Sequence, residues 1–370
     1  MATGMQVYVG TYTEDILFGT GKLLRGKGEG IYLYEMDGGD AAVRLIWKKT
    51  GVTNPSFLDI DPSHRFLYAV NELKDYEGEK TGTISAFALD AEGKAPSFLN
   101  RKPTFGADPC HVTIDPSGKF AIVTNFSSGS VCVFPLLADG SLGDAGDFRQ
   151  HVGSGADSTR QGGPHAHSAV FDSGNTHVFV PDLGTDELVV YGWDRESGKL
   201  ERRDDLCFKA RPGAGPRHMV LHPRLPFAYV VNELDSTVSV LSLDAAQPSF
   251  EEIQTISTLP SGFDGASDCA DLHLSPSGHF LYASNRGHDS IAAFRVEPGT
   301  GMLETIGHFP SGGRTPRSFD IDPSGRILLA ANQDTDNIVA FWINQDRGTL
   351  QATGKEMKVP TPVCVRIYMS

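Results

Sequence analysis

The chain has 370 residues, 39% of them hydrophobic, with 41 glycines, 22 prolines and a formal net charge of −14. That acidic balance excludes a nucleic-acid surface, which needs a basic stripe, and no run approaches the roughly 18 apolar residues of a membrane span. The five cysteines, scattered at 110, 132, 207, 269 and 364 without a CxxC pair, exclude a disulfide framework and a cysteine zinc site.

The opening MATGMQVYVGTY lacks the basic flank and apolar block of a secretion signal, so a cytoplasmic protein is expected. Residues 6 to 50 then carry three strand-like runs, QVYVGTY, GIYLYEM and VRLIWKK, with no first strand ahead of them. From there one plan recurs: two short apolar runs joined by a Pro-containing turn, then a polar break and a third run. Segments this short, rich in Val, Leu and aromatics and punctuated by Pro, Asn, Asp and Ser, form antiparallel strands.

The turn provides an anchor at Pro62, Pro116, Ser173, Pro223, Pro276 and Pro323, with spacings of 54, 57, 50, 53 and 47 residues. A period of roughly 50 residues belongs to propeller blades. The last stretch, PTPVCVRIY at 360 to 368, has the pattern of an opening strand, with Pro362 in the slot of Pro55, Pro109, Pro216 and Pro316. It supplies the strand missing at the N-terminus. The expectation is an all-β, seven-bladed β-propeller forming a single domain over residues 1–370, its ring closed by the C-terminal strand joining the N-terminal blade.

Nine residues after each anchor stands Asn71, Asn125, Asp182, Asn232, Asn285 or Asn332, and six before it Ser56, Cys110, His167, Arg217, Ala270 or Arg317. Across a hairpin these two columns are expected to pair and to end on one face of the ring. The Asn column is accounted for by turn chemistry. Long Gly-rich connections gather on the same face: Thr13 to Glu29, Lys74 to Gly82, Gly153 to Pro164, Ser261 to Ser267 and Ser311 to Pro316. Such loops on a rigid scaffold are where function resides. The glycines from Gly19 to Gly30 lack the context of a phosphate-binding P-loop and are taken as rim.

The chemistry stands where the repeats disagree. His167, Arg217 and Arg317 are unusual six before the anchor; Glu72, Glu233, Arg286 and Gln333 are unusual ten after it. An acidic chain that gathers three arginines at one mouth binds an anion, because a guanidinium matches carboxylate or phosphate two bonds at a time. Glu233 is either their salt-bridge partner or a base, and Glu72 either a solvated rim carboxylate or part of the site. His165 and His167 alternate onto the same side of a strand; with no third ligand evident they are assigned to acid/base chemistry or substrate bonding and not to a metal. There is no Gly-x-Ser-x-Gly elbow, and no cysteine is expected beside a base, so no nucleophilic triad is read.

From VGTYT through PHAHS, GPRHMVLHP, VVNEL, SNRGHDSI and TPRSFDIDPSG to PVCVRI, nearly the whole chain resembles the seven-bladed-propeller lactonases. That family includes propeller-type bacterial 6-phosphogluconolactonases and fungal carboxy-cis,cis-muconate cyclases. GPRH, with its arginine 16 residues before Glu233, is the most specific match. In the cyclase branch the site is attributed to a His, two Arg and a Glu, which by motif correspond to His167, Arg217, Glu233 and Arg286. The resemblance implies a metal-independent enzyme without a cofactor that hydrolyses a small anionic sugar lactone, foremost 6-phosphogluconolactone. His167, Glu233 and Arg286 are then catalytic, with proton transfer assigned to Glu233 or His167, and Arg217, Arg317, Gln333, His165 and Glu72 bind substrate. The alternatives are a lactonising cyclase acting on a carboxylated muconate, and a non-catalytic propeller that binds a metabolite or a protein. Two features depart from the family: the second histidine, His165, and the long Thr13 to Glu29 loop.

Overall fold

The computed structural model describes residues 4–17, 21, 23–90, 93–244 and 249–369, so Gly19 and part of the Thr13 to Glu29 loop lie outside the described residues. The described residues form seven antiparallel sheets around an axis, each with four strands in line, and a small rim hairpin of Ile16–Leu17 with Leu23–Leu24. The fourth sheet carries one extra short strand, Phe208–Lys209.

The ring closes through the first sheet. Its innermost strand is the C-terminal Pro362–Met369, paired in continuous antiparallel register with Gly4–Thr11 from Met5 opposite Met369 to Gly10 opposite Cys364. Ile31–Asp37 and Val43–Lys49 follow outward. Without the C-terminal strand, the row of N–H and C=O groups on Gly4–Thr11 would be an open edge.

The second strand of the seventh sheet is packed on both faces and is accordingly apolar up to its closing Asn: Ile327–Asn332 is buried at every residue, whereas the outermost strand of the same sheet, Leu350–Lys358, is mostly exposed. The core therefore lies between sheets. One such layer packs Tyr229, Val231 and Val240 of the fifth sheet on Leu281, Ala292 and Phe294 of the sixth. Each large side chain buried this way contributes about 1.5–3 kcal/mol.

The repeated turn is closed by a side chain just before the anchor. Asp115 Oδ1 accepts the amides of Lys119 and Phe120 at 2.7 and 2.8 Å, Asp61 and Asp172 do the same, and His222 Nδ1 substitutes in the fifth repeat. In four blades an outer-turn glycine of the following blade, Gly140, Gly198, Gly301 or Gly348, lies against the phenylalanine that starts the second strand. Gly301, at φ 69°, sits where a Cβ would come within 2.4 Å of the Phe227 ring, so no other residue fits.

The Asn column pins strand ends to neighbouring loops: Asn71 Nδ2 donates to Thr53 O at 2.6 Å, Asn125 to Thr104 O at 3.1 Å and Asn285 to Thr258 O at 2.8 Å. Its role is architectural. The expected pairing of the two columns needs correction. It is the proline seven before the anchor that pairs with the Asn column, Pro55 with Asn71, Pro109 with Asn125, Pro216 with Asn232 and Pro316 with Asn332. The residue six before the anchor is extruded as a β-bulge; in these four blades the proline, which has no N–H with which to continue the ladder, favours the break, and in the sixth blade the register shifts after Cys269 without one.

Candidate active site

The bulge builds the site. In an unbroken strand consecutive side chains alternate, but an extra residue lets two neighbours face the same way. Hence the ring of positions six before the anchor and the ring five before it both line the axis. The cavity at the top of the axis is walled by Ser56, Cys110, Arg217, Arg317 and Val363 from the first ring, Phe57, His218, Asp271 and Ser318 from the second, and Glu72. It has room for about one water molecule. Anything larger than water therefore has room only above it, at the mouth.

Glu233 is the hub of that mouth. Arg217 Nε donates to its Oε2 at 2.9 Å, Arg286 Nη2 lies 2.8 Å from the same oxygen, and Arg160 Nη2 bonds Oε1. Arg217 is held further by the carbonyl of Ala270, and Arg286 donates to Cys269 O at 2.6 Å. Burial pushes the Glu233 carboxyl up, but Arg286, Arg217 and Arg160 outweigh it and hold it well below the usual carboxylate range. Burial and the neighbouring Arg286 push Arg217 down to about 10, which still leaves it charged at neutral pH. Glu233 is thus a fixed counter-ion and a very weak base.

A second group lies across the cavity. The rim loop brings Tyr12, fully buried, to donate to Glu72 with its hydroxyl 2.9 Å from both carboxylate oxygens. The Arg317 guanidinium stands 5.5 Å from the Tyr12 ring centre. Glu72 is buried, not solvated, and burial raises its carboxyl although Arg317 opposes the shift.

The histidines form a third group. His167 is buried with Nδ1 3.7 Å from Cys110 Sγ and its ring centre 5.3 Å from that of His218. Burial, then Arg217, holds His167 well below its ordinary range, so it is neutral. The Cys110 contact corrects the expectation that no cysteine would neighbour a base; burial pushes that thiol up to about 12, so it remains protonated and unreactive. His218 Nδ1 bonds Asp271 Oδ1 at 2.9 Å while its Nε2 faces Arg217 Nη1 at 3.2 Å. Burial and Arg217 push His218 down to about 4.

Of the residues singled out in the sequence, Arg217, Glu233 and Arg286 are in direct contact, and Arg317 and Glu72 share the cavity with Arg217. His167 stands one blade before Arg217 in the same ring. Two are set apart: His165 stacks on Phe126 at 4.6 Å and bonds its carbonyl, and Gln333 turns along its own blade to bond Asp334 at 2.8 Å. Sequence reasoning missed Arg160, which lies in a loop outside the repeat. It also missed Tyr12 and the His218–Asp271 pair. The pair could have been found by comparing the position five before each anchor, where Phe57, His111, Ser168, His218, Asp271 and Ser318 differ as widely as the ring above. Among the described residues no three His, Cys, Asp or Glu side chains are grouped to hold a metal ion.

Fold and site together define an enzyme scaffold of the propeller class, with an arginine-rich mouth and the neutral histidines His167 and His218 beside it. The chain belongs to the lactonase family of seven-bladed β-propellers, whose family model matches residues 6–367. It is 34% identical over 312 residues to the 6-phosphogluconolactonase of Bacillus subtilis, covering 84% of this chain and 83% of that one. The 6-phosphogluconolactonase of Formosa agariphila is 33% identical over 321 residues, covering 85% of this chain and 86% of its own. Among solved structures, the periplasmic gluconolactonase of Pseudomonas aeruginosa superposes with a TM-score of 0.89 at 30% identity, covering 99% of both chains.

Proposed function

We propose that the protein hydrolyses 6-phosphogluconolactone to 6-phosphogluconate, a ring opening of the pentose phosphate pathway. The observation that carries this reading is the convergence of Arg160, Arg217 and Arg286 on the single carboxylate of Glu233, more positive charge than that carboxylate neutralises. An anionic substrate meets that excess, and the names of the relatives supply the lactone.

Water adds to the lactone carbonyl carbon, and the developing oxyanion is stabilised by the guanidinium of Arg217 or Arg317 facing the cavity. The proton released by that water goes to a neutral buried histidine, assigned to His167; Glu233 has both oxygens occupied by guanidiniums and none left to receive it. The bond from carbonyl carbon to ring oxygen then breaks, and the same histidine returns the proton to the departing oxygen. Its charged form is disfavoured by burial, so it gives the proton up readily. Because a phosphorylated sugar lactone arises where sugar phosphates are made, this reading puts the enzyme in the cytoplasm.

The test is turnover. Fixed donors to an oxyanion are worth roughly 10²–10³ in rate, so Arg217→Ala, Arg317→Ala or both lower kcat/KM on 6-phosphogluconolactone by that factor. Wild-type turnover in both variants refutes the assignment.

A further inference from the structure

Arg160 is the one guanidinium of the Glu233 cluster that the repeat does not supply. It rides on the connection between the third and fourth blades and reaches Glu233 in the fifth. The loop is fixed at its root by Gln161, which has no exposed surface: its Nε2 donates to Leu183 O at 2.8 Å and to Asp186 Oδ1 at 2.6 Å, and its Oε1 accepts the amide of Asp157 at 2.8 Å. Asp186 also accepts the amides of Gly213 and Gly215 at 2.7 and 2.8 Å, just ahead of the strand bearing Arg217. One carboxylate therefore sets both the loop and that strand, so Arg160 is held in position relative to Arg217.

The three guanidiniums differ in access. Arg217 is 3% exposed and points inward, whereas Arg160 and Arg286 keep 22% and 16% and flank the mouth. Arg217 and Arg286 share Oε2 of Glu233, while Arg160 alone takes Oε1, and its next carboxylate, the half-exposed Asp268, stands 3.8 Å away. Three positive charges meet one negative charge at Glu233 and a second, loosely held one at Asp268. The remaining charge faces the mouth. A phosphate monoester carries about 1.5 to 2 negative charges at neutral pH and three acceptor oxygens, whereas an unphosphorylated sugar lactone is neutral and answers none of it.

We propose that Arg160 is the specificity-determining residue of this site: with Arg286 it takes the phosphate end of the substrate, leaving Arg217 to the lactone carbonyl. The proposal rests on the lactonase reading above and extends it to the choice between phosphorylated and unphosphorylated sugar lactones, both of which occur in the names of the relatives.

The experiment is calorimetric binding of two products, 6-phosphogluconate and gluconate, to the wild type, Arg160→Ala and Arg160→Lys, with kcat/KM measured on the two corresponding lactones. The wild type binds the phosphorylated product more tightly. Arg160→Ala loses roughly 10- to 100-fold of affinity for 6-phosphogluconate, as expected for charge-assisted bonds, and far less for gluconate. Arg160→Lys recovers part of it, keeping the charge without the fork. Equal losses for both products, no loss in either variant, or a wild type indifferent to the phosphate overturn the proposal. Failure of the wild type to open either lactone sinks the hydrolysis reading instead, and the binding comparison still decides the role of Arg160.

Discussion

Replacing Glu233 by Gln removes the carboxylate that all three guanidiniums contact while preserving the size of the side chain. Breaking a buried ion pair from one side costs about 3–5 kcal/mol. Here Arg160 and Arg286, at 22% and 16% exposure, relax toward water, while Arg217, at 3%, has no such exit, so the low end, about 3 kcal/mol, applies. Unfolding entropy near 2.1 cal/mol/K per residue amounts to about 0.8 kcal/mol/K for 370 residues, which turns that loss into a fall in Tm of roughly 4 °C. Inorganic phosphate reverses it: an anion at one hundred times its Kd stabilises by about 2.7 kcal/mol, and the variant, lacking its internal anion, gains more than the wild type. Because the Glu233 carboxyl is held below its unfolded value of about 4.3, its contribution is fully present above that pH and is lost only as pH falls through the lower folded value. The difference between wild type and variant is therefore flat from pH 8 to about 5 and shrinks below about 4. Thermal unfolding across pH, with and without phosphate, measures all of this. An unchanged Tm, or the same gain from phosphate in both proteins, refutes the view of Glu233 as the counter-ion that holds the cluster.

His218, pushed down to about 4, takes up a proton in the unfolded chain between pH 6.5 and 4 but not in the folded one, so stability falls with pH in that window. Urea unfolding of His218→Gln at pH 7, 6 and 5 is expected to flatten that slope by about 1.4 kcal/mol per pH unit. Gly184→Ala puts a Cβ 1.9 Å from the carbonyl of Gly163, in the loop that carries Arg160; a loss of about 1–3 kcal/mol in stability and weakened 6-phosphogluconate binding are expected, read by unfolding and calorimetry. Deleting residues 362–370 strips the inner strand from the first sheet and opens the edge of Gly4–Thr11. Size-exclusion chromatography is expected to find aggregate in place of monodisperse protein.

The architecture was legible because its determinants repeat. Six anchors and a proline at 362 suffice to number the blades and close the ring, since each blade solves the same packing problem with the same turn. The mouth was legible for the complementary reason, that Arg217, Glu233 and Arg286 stand in two columns where the blades disagree while the framework around them repeats. Register was misread because alternation assumes an unbroken ladder, and an irregularity seven to six before the anchor breaks it, at a proline in four blades and at Cys269 in the sixth. Arg160 escaped because a loop has no period against which an exception shows, and Tyr12 because it lies in the blade without an anchor. His218 escaped because only the columns six before and ten after the anchor were compared, and the bulge brings the position five before it to the cavity as well.

That bulge also explains how one ring can be both a stable body and a reactive site. Residues four before the anchor, such as Leu58, Val112, Met219 and Phe319, turn into the layers between sheets and are buried at 4% or less, so the hydrophobic load is carried off the axis. Freed from packing, two consecutive positions per blade face the cavity, and there the chain places arginine, histidine and carboxylate whose burial opposes folding. Glu233 limits that cost by standing where an anion belongs until a substrate arrives. The consequence is kinetic as well as thermodynamic: a phosphate that enters must compete with a carboxylate already bonded to the same guanidiniums. The site thereby trades ground-state affinity for a mouth already assembled, which favours turnover over retention of an anionic product.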